Sequence, residues 1–261
     1  MAEFIKVGER IKLRPNVEGL EFNLEGGKIY DLKYCDMTGE TYLQENGSFN
    51  MPKKVYKVPE DDEFKDRVLT YFNSDKAGNT TGVLLAGIKG TGKTILAKRI
   101  AIDSNLPVII PANNFYARRL NTFFKQIKSP VVVMFDEVEK NNYYWDTKDL
   151  LGFLDGVEAT AKKLVLMTCN DTDEIDDNFF DRCSRIRYFR EYEANSNTAF
   201  IKLIAKDKGI EDIDKVANFI TNNMSVKSFD NINSFLDEVI LFKDKSYEDI
   251  IKYMNISEEE C

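Results

Sequence analysis

The 261-residue chain contains no histidine. That absence removes Ser-His triads, histidine-ligated metals and imidazole general bases, so catalysis must run on carboxylates, lysine, arginine and metal. Cysteine is scarce: Cys35, Cys169, Cys183 and Cys261 form no C-x-x-C pair, which argues against a zinc site or a disulfide framework and fits free thiols in a reducing compartment. No apolar run approaches the ~18–20 residues of a bilayer crossing, and Met1-Ala2-Glu3-Phe4 does not open a secretory leader. A cytoplasmic protein without membrane contact is expected. Basic residues (36) are outnumbered by acidic ones (44), and the net charge of −8 disfavours a general nucleic-acid coat, although local basic patches remain open. Internal repeats and low-complexity segments are absent, and a hydrophobic content of 43% is ample for a buried core.

The pattern changes twice along the chain. Residues 1–58 carry short β-rich runs such as Lys28–Tyr34 and Lys54–Val58, separated by turn signals at Gly26-Gly27, Thr38-Gly39 and Asn46-Gly47. They predict a small, mostly antiparallel β-barrel. Pro59-Glu60-Asp61-Asp62 stops the last strand and starts a helix. Over 59–190, apolar strands (Val83–Ala86, Val108–Ile110, Val131–Phe135, Leu164–Cys169, Ile186–Phe189) alternate with amphipathic helices, the signature of a parallel sheet covered on both faces. Residues 191–261 show only helical spacing, as in Ile213/Val216/Ala217/Ile220, and end in the acidic tail Ser257–Cys261. A helical lid is expected there. The predicted fold class is α/β: a parallel sheet with a C-terminal helical lid and an N-terminal small β-barrel.

Gly87-Ile88-Lys89-Gly90-Thr91-Gly92-Lys93-Thr94 fits G-x-x-x-x-G-K-[ST] at every fixed position, directly after the apolar run Val83–Ala86. Glycines let the backbone curl its N–H groups around phosphates without a side chain in the way. Lys93 is positioned to reach the β- and γ-phosphates of ATP, Thr94 to offer its hydroxyl to Mg²⁺, and the helix that follows to aim its positive end at the same anion. Val131–Phe135 is a second apolar strand, ending in Asp136-Glu137. Neighbouring strand residues face opposite sides, so the two carboxylates can divide the work. Asp136 would hold Mg²⁺ through its water shell, and Glu137 would polarise the water that attacks the γ-phosphorus. ATP and Mg²⁺ are the implied cofactors.

With these motifs in this order, the chain resembles an AAA+ ATPase from about Pro59 to Met254. Leu151-Gly152-Phe153-Leu154-Asp155-Gly156-Val157 and the strand ending in Thr168-Cys169-Asn170 are similar to segments of the AAA subgroup. The resemblance implies a five-stranded parallel sheet, ATP bound beneath a helical lid, and a homo-oligomeric, hexameric ring whose sites are completed by neighbours. It makes Asn170 the first sensor, an amide that orients the attacking water. Asp181-Arg182-Cys183-Ser184-Arg185 stands where the family keeps arginine fingers, with Arg182 the first candidate and Arg185 the second; Cys183-Ser184 replaces the usual Pro-Gly between them. Lys227 stands where many members place a cationic second sensor. Phe115-Tyr116 matches the position of an aromatic pore loop, with packing of these residues against Phe123 and Phe124 as the alternative. A second aromatic loop, Asn141–Trp145, could line the same pore.

Two functions are compatible with these residues. The first is a ring ATPase that remodels or threads a protein partner recruited by the N-terminal β-domain. The alternative is a nucleic-acid-handling switch of the clamp-loader or helicase-loader type, suggested by the basic helix bearing Arg118, Arg119, Lys125 and Lys128. The compact size and the Lys/Asn/Ile-rich usage would suit a phage-encoded or other small-genome ATPase.

Overall fold

The computed structural model describes residues 4–13, 21–56, 58–112, 115, 117–141, 147–156, 161–173, 175, 177–192 and 198–256. The tail Ser257–Cys261, Tyr116 and the loop residues 142–145 lie outside them.

Five short strands open the chain: β1 (Phe4–Val7), β2 (Arg10–Leu13), β3 (Glu21–Phe22), β4 (Ile29–Cys35) and β5 (Glu40–Glu45). Helix α1 (Pro59–Asn73) follows, started by Pro59 and by acids in its first turn, where the helix dipole favours negative charge. An alternating series comes next: β6 (Thr80–Gly87), α2 (Lys93–Ser104), β7 (Val108–Pro111), α3 (Ala117–Phe124), β8 (Val131–Phe135), α4 (Thr147–Leu154), β9 (Lys163–Thr168) and β10 (Tyr188–Tyr192). Four helices close the described chain: α5 (Thr198–Asp207), α6 (Ile213–Asn223), α7 (Phe229–Leu241) and α8 (Tyr247–Ile251).

All ten strands lie in one sheet, in the order β10-β6-β9-β8-β7-β4-β5-β2-β1-β3. From β10 to β4 the pairs are parallel, and from β4 to β3 they are antiparallel. The five expected core strands are present, with β10 running two residues later than its predicted start. Ile186 is buried in the preceding turn instead, where its N–H donates to the Arg182 carbonyl.

The expected barrel is corrected by this topology. Among the described residues the N-terminal strands do not close on themselves. Strand β4 pairs in parallel with β7, Ile29 opposite Val108 and Leu32 opposite Pro111. Their core is also shared: Phe4, Ile11, Tyr30, Leu32 and Leu43 belong to the same apolar cluster as Ile109, Val133 and Phe153. The antiparallel pairing was legible from the hairpin signals, whereas the parallel join depends on residues about 80 positions apart, a contact without local trace.

Strand alternation sorts the central core into two layers. Leu84 and Ala86 face α3 and α4 with Phe124 and Phe153; Val83 and Leu85 face α1 and α2 with Phe72 and Ile100. Helices α5–α8 bury their own cluster around Ile204, Ile220 and Phe235, in line with the helical periodicity read from 191 onward. Ser228 caps α7, its hydroxyl accepting from the Asn231 N–H at 3.1 Å. Among the described residues no helix is long and apolar enough to cross a membrane.

Candidate active site

At the end of β6 the chain turns sharply, and the loop that follows needs its glycines. Gly87 has φ +124°, and a Cβ there would lie 2.2 Å from the Tyr192 carbonyl oxygen on the neighbouring strand. Gly90 has φ +78°, and a Cβ there would lie 2.6 Å from Cβ of Ser228 at the start of α7, whose next residue, Phe229, donates its N–H to the Gly90 carbonyl at 2.8 Å. The phosphate-type loop is therefore seated directly against the C-terminal helices. Gly92 caps α2, and Lys93 and Thr94 occupy its first turn.

This loop lines a cavity of about 880 Å³ together with Lys89, Thr91, Asp136, Glu137, Thr168 and Asn170. The motif residues expected to act together are thus brought to one place. Lys93 is buried, and its ammonium donates to the carbonyls of Gly87 and, at 2.7 Å, of Ile88. Burial pushes its pKa down from the ordinary lysine value, opposed by Cys169 and the nearby carboxylates of Glu139, Asp136 and Glu137.

Thr94 donates its hydroxyl to Asp136 Oδ1 at 2.9 Å, and Thr168 donates to the same oxygen at 2.6 Å. A hydroxyl and a carboxylate side by side are hard oxygen donors. They fit Mg²⁺, which takes one or two protein ligands and completes its shell with water and phosphate. No cluster of three or more His, Cys, Asp or Glu suited to a metal occurs among the described residues.

Glu137 sits at φ +52°, in the left-handed region that non-glycine residues seldom occupy. Its N–H donates to Thr168 Oγ1 at 2.9 Å, which ties the turned backbone to β9. Its carboxylate accepts from Lys140 on Oε2 and from Asn170 Nδ2 at 2.8 Å on Oε1. These bonds, Lys140 first and Asn170 second, hold the Glu137 carboxyl below its ordinary pKa. The same Asn170 nitrogen donates to Glu139 Oε1 at 2.6 Å.

Several expected site residues lie elsewhere. Phe115 is 1% exposed, inside the cluster that contains Phe123 and Phe124, so the packing alternative holds and the pore-loop assignment does not; Tyr116 is not described. Arg185 is committed within its own chain, donating to Asp155 at 2.9 and 3.1 Å and to the Asn178 carbonyl at 2.6 Å. Arg182 is exposed, and neither arginine lines the cavity. Lys227 is buried, precedes the α7 cap rather than opening the helix, and does not line the cavity, which leaves a second-sensor role for it without geometric support.

Another part of the cavity lining was not legible in the sequence. Tyr56, Phe200 and Phe229 line it as an aromatic triangle with ring centroids 5.9 to 6.2 Å apart. Beside them Asp61 accepts from Arg190 at 2.7 Å and from the Tyr192 hydroxyl at 2.9 Å, with burial raising the Asp61 pKa despite both partners. Asp61 belongs to the acidic run read only as a helix start, and the aromatic residues come from three separate segments. Thr168 also went unread, since a threonine within an apolar strand carries no local mark of function.

Comparison with known proteins agrees with this geometry. Residues 83–191 match the ATPase family associated with various cellular activities, AAA. Over 99% of its length the chain is 27% identical to 22% of a Plasmodium falciparum (isolate 3D7) protein named a cell division cycle ATPase. It is 31% identical, over 49% of the chain and 22% of the relative, to the ATP-dependent zinc metalloprotease FtsH of Mycoplasma mobile. It is 26% identical, over 68% of the chain and 29% of the relative, to FtsH 2 of Salinibacter ruber. The chain spans less than a third of the length of these relatives.

Proposed function

We propose that this AAA ATPase domain hydrolyses ATP within a homo-oligomeric ring and spends the energy on remodelling a protein partner. The observation that carries the reading is the Asn170–Glu137 hydrogen bond of 2.8 Å, which aims a carboxylate held by an amide into the cavity lined by Lys93, Thr94 and Asp136. Mg²⁺, held by Thr94 and Asp136, would neutralise charge on the transferred phosphoryl group. Lys93 adds a fixed positive charge, and desolvation strengthens its pull on the phosphates. Glu137 stays ionised because of Lys140 and Asn170, so it can orient a water and accept its proton.

Arg182 is the trans-acting finger of this reading. It is exposed and outside its own cavity, which suits a group that completes a neighbour's site. Relatives named ATP-dependent metalloproteases support work on polypeptide, and this reading gives the N-terminal strands the task of recruiting the partner. The nucleic-acid alternative loses part of its basis, because the Arg119 guanidinium lies 3.3 Å from the centre of the Tyr34 ring. Phosphate release from Mg-ATP tests the core of the proposal: turnover in the wild type that is abolished in Glu137→Gln is expected, and equal turnover in both proteins refutes it.

A further inference from the structure

Glu139, bonded to Asn170 beside the cavity, has no part in the mechanism above. Glu139 lies in a short 3-10 helix, Val138–Asn141, immediately after the catalytic turn. It is 7% exposed, so its charge is held out of water, a costly placement for an acid. Its Oε1 accepts twice from Asn170, from the main-chain N–H at 3.0 Å and from Nδ2 at 2.6 Å. Its Oε2 is buried and has no hydrogen-bond partner among the described residues.

The two bonds act on one amide. Asn170 Nδ2 has two protons, and the two carboxylates that receive them are acceptors only, Glu139 Oε1 and Glu137 Oε1. A flip of the Asn170 amide would turn its oxygen toward both acids and exchange two hydrogen bonds for two repulsions. Glu139 therefore acts together with Glu137 in selecting which end of the Asn170 amide faces the two acids.

We propose that Glu139 is a positioning residue for hydrolysis, which locks the Asn170 amide in the one orientation that supports the Glu137 carboxylate. The proposal rests on the ATPase reading and adds to it a residue that touches neither phosphate nor water. It differs from a second possible task, electrostatic balance of Lys93, which Glu139 also influences. Positioning depends on an acceptor at full reach, whereas balance depends on charge.

Two conservative variants separate these tasks. Glu139→Gln keeps the length and an acceptor oxygen but loses the charge. Glu139→Asp keeps the charge but retracts it by about 1.5 Å, one carbon–carbon bond. Positioning predicts that Glu139→Gln stays within about 3-fold of the wild-type kcat, while Glu139→Asp loses kcat on the order of 10–100-fold at an unchanged KM for ATP. In an Asn170→Ala background Glu139→Asp should cost nothing further. Normal kcat in Glu139→Asp, or a raised KM confined to Glu139→Gln, overturns the proposal while leaving the ATPase reading intact. If the wild type itself releases no phosphate, the ATPase reading fails, and the geometry is read by NMR instead. The Asn170 side-chain amide protons, assigned against Asn170→Ala, should exchange slowly in wild type and Glu139→Gln and fast in Glu139→Asp; equal exchange in all three overturns the proposal.

Discussion

Arg185 and Asp155 form a two-pronged ion pair, Nε to Oδ1 at 2.9 Å and Nη2 to Oδ2 at 3.1 Å, that joins the turn before β10 to the Leu-Asp-Gly segment after α4. The two candidate finger arginines are thereby separated. In the Arg182–Arg185 turn, closed by the Arg185 N–H on the Arg182 carbonyl at 2.9 Å, one guanidinium is drawn inward and the other is left exposed. Arg185→Ala is expected to lower stability by about 2 kcal/mol, less than the ~3–5 kcal/mol for breaking a fully buried pair. Arg182→Ala should leave the melting temperature unchanged and remove most turnover. Mixing it with Glu137→Gln should restore activity, because the second protein supplies intact fingers to the first one's intact sites. Failure of the mixture to exceed either variant alone would refute a finger acting between subunits.

Phe115 gives a second contrast. A substrate-gripping aromatic could be truncated without loss of stability, but Phe115 is packed in the core with Phe123 and Phe124. Phe115→Ala should cost on the order of 3–5 kcal/mol, measured by urea unfolding. An unchanged midpoint would return this residue to the surface role that its sequence position suggested.

The Glu137 carboxyl is held down chiefly by Lys140, from an ordinary value of 4.5. A lowered carboxylate pKa keeps the base ionised at neutral pH and loses it only as pH falls through that lower value. Lys140→Met should therefore move the acid limb of the kcat/KM profile upward, toward the ordinary value, with little change at neutral pH. A limb that stays in place would show that Lys140 does not hold Glu137 in the working enzyme.

Lys163, at the first position of β9, is 3% exposed and faces the rings of Phe124 and Phe153, 5.8 and 5.4 Å from their centres. Burial pushes its pKa from 10.5 to about 8. Below pH 8 the fold carries a buried charge. Between about 8 and 10.5 the folded chain releases a proton that the unfolded chain keeps, so this group makes stability rise with pH across that window. Lys163→Met keeps the stem and its contact with the rings while removing the charge. Its melting temperature should exceed the wild type at pH 7, by roughly 2–4 °C for each kcal/mol gained in a domain of this size, and converge with it near pH 10. Equal melting temperatures at pH 7 would contradict the cost assigned to the charge.

The parallel sheet and the phosphate loop were legible because their signals are local. Runs such as Val131–Phe135 must be buried on both faces, and Gly87 and Gly90 are needed wherever the backbone turns with positive φ against a neighbour. The acidic pair was legible for the same reason, as two charges ending an apolar strand. Phe115 was left between two readings because an aromatic residue in a loop looks alike whether it faces solvent or core, and only packing distinguishes the two.

From its order of residues alone, this chain determined an alternating α/β core, a nucleotide loop and an acid pair, since backbone conformation and strand burial are encoded within a few neighbouring positions. Tertiary structure alone decided that β4 extends the parallel sheet through β7, that Arg185 turns inward to Asp155, and that Glu139 and Glu137 meet on one Asn170 amide. These contacts join residues some 30 to 80 positions apart. Their geometry is set by how packed layers bring distant segments together, and no local periodicity or turn rule carries that information.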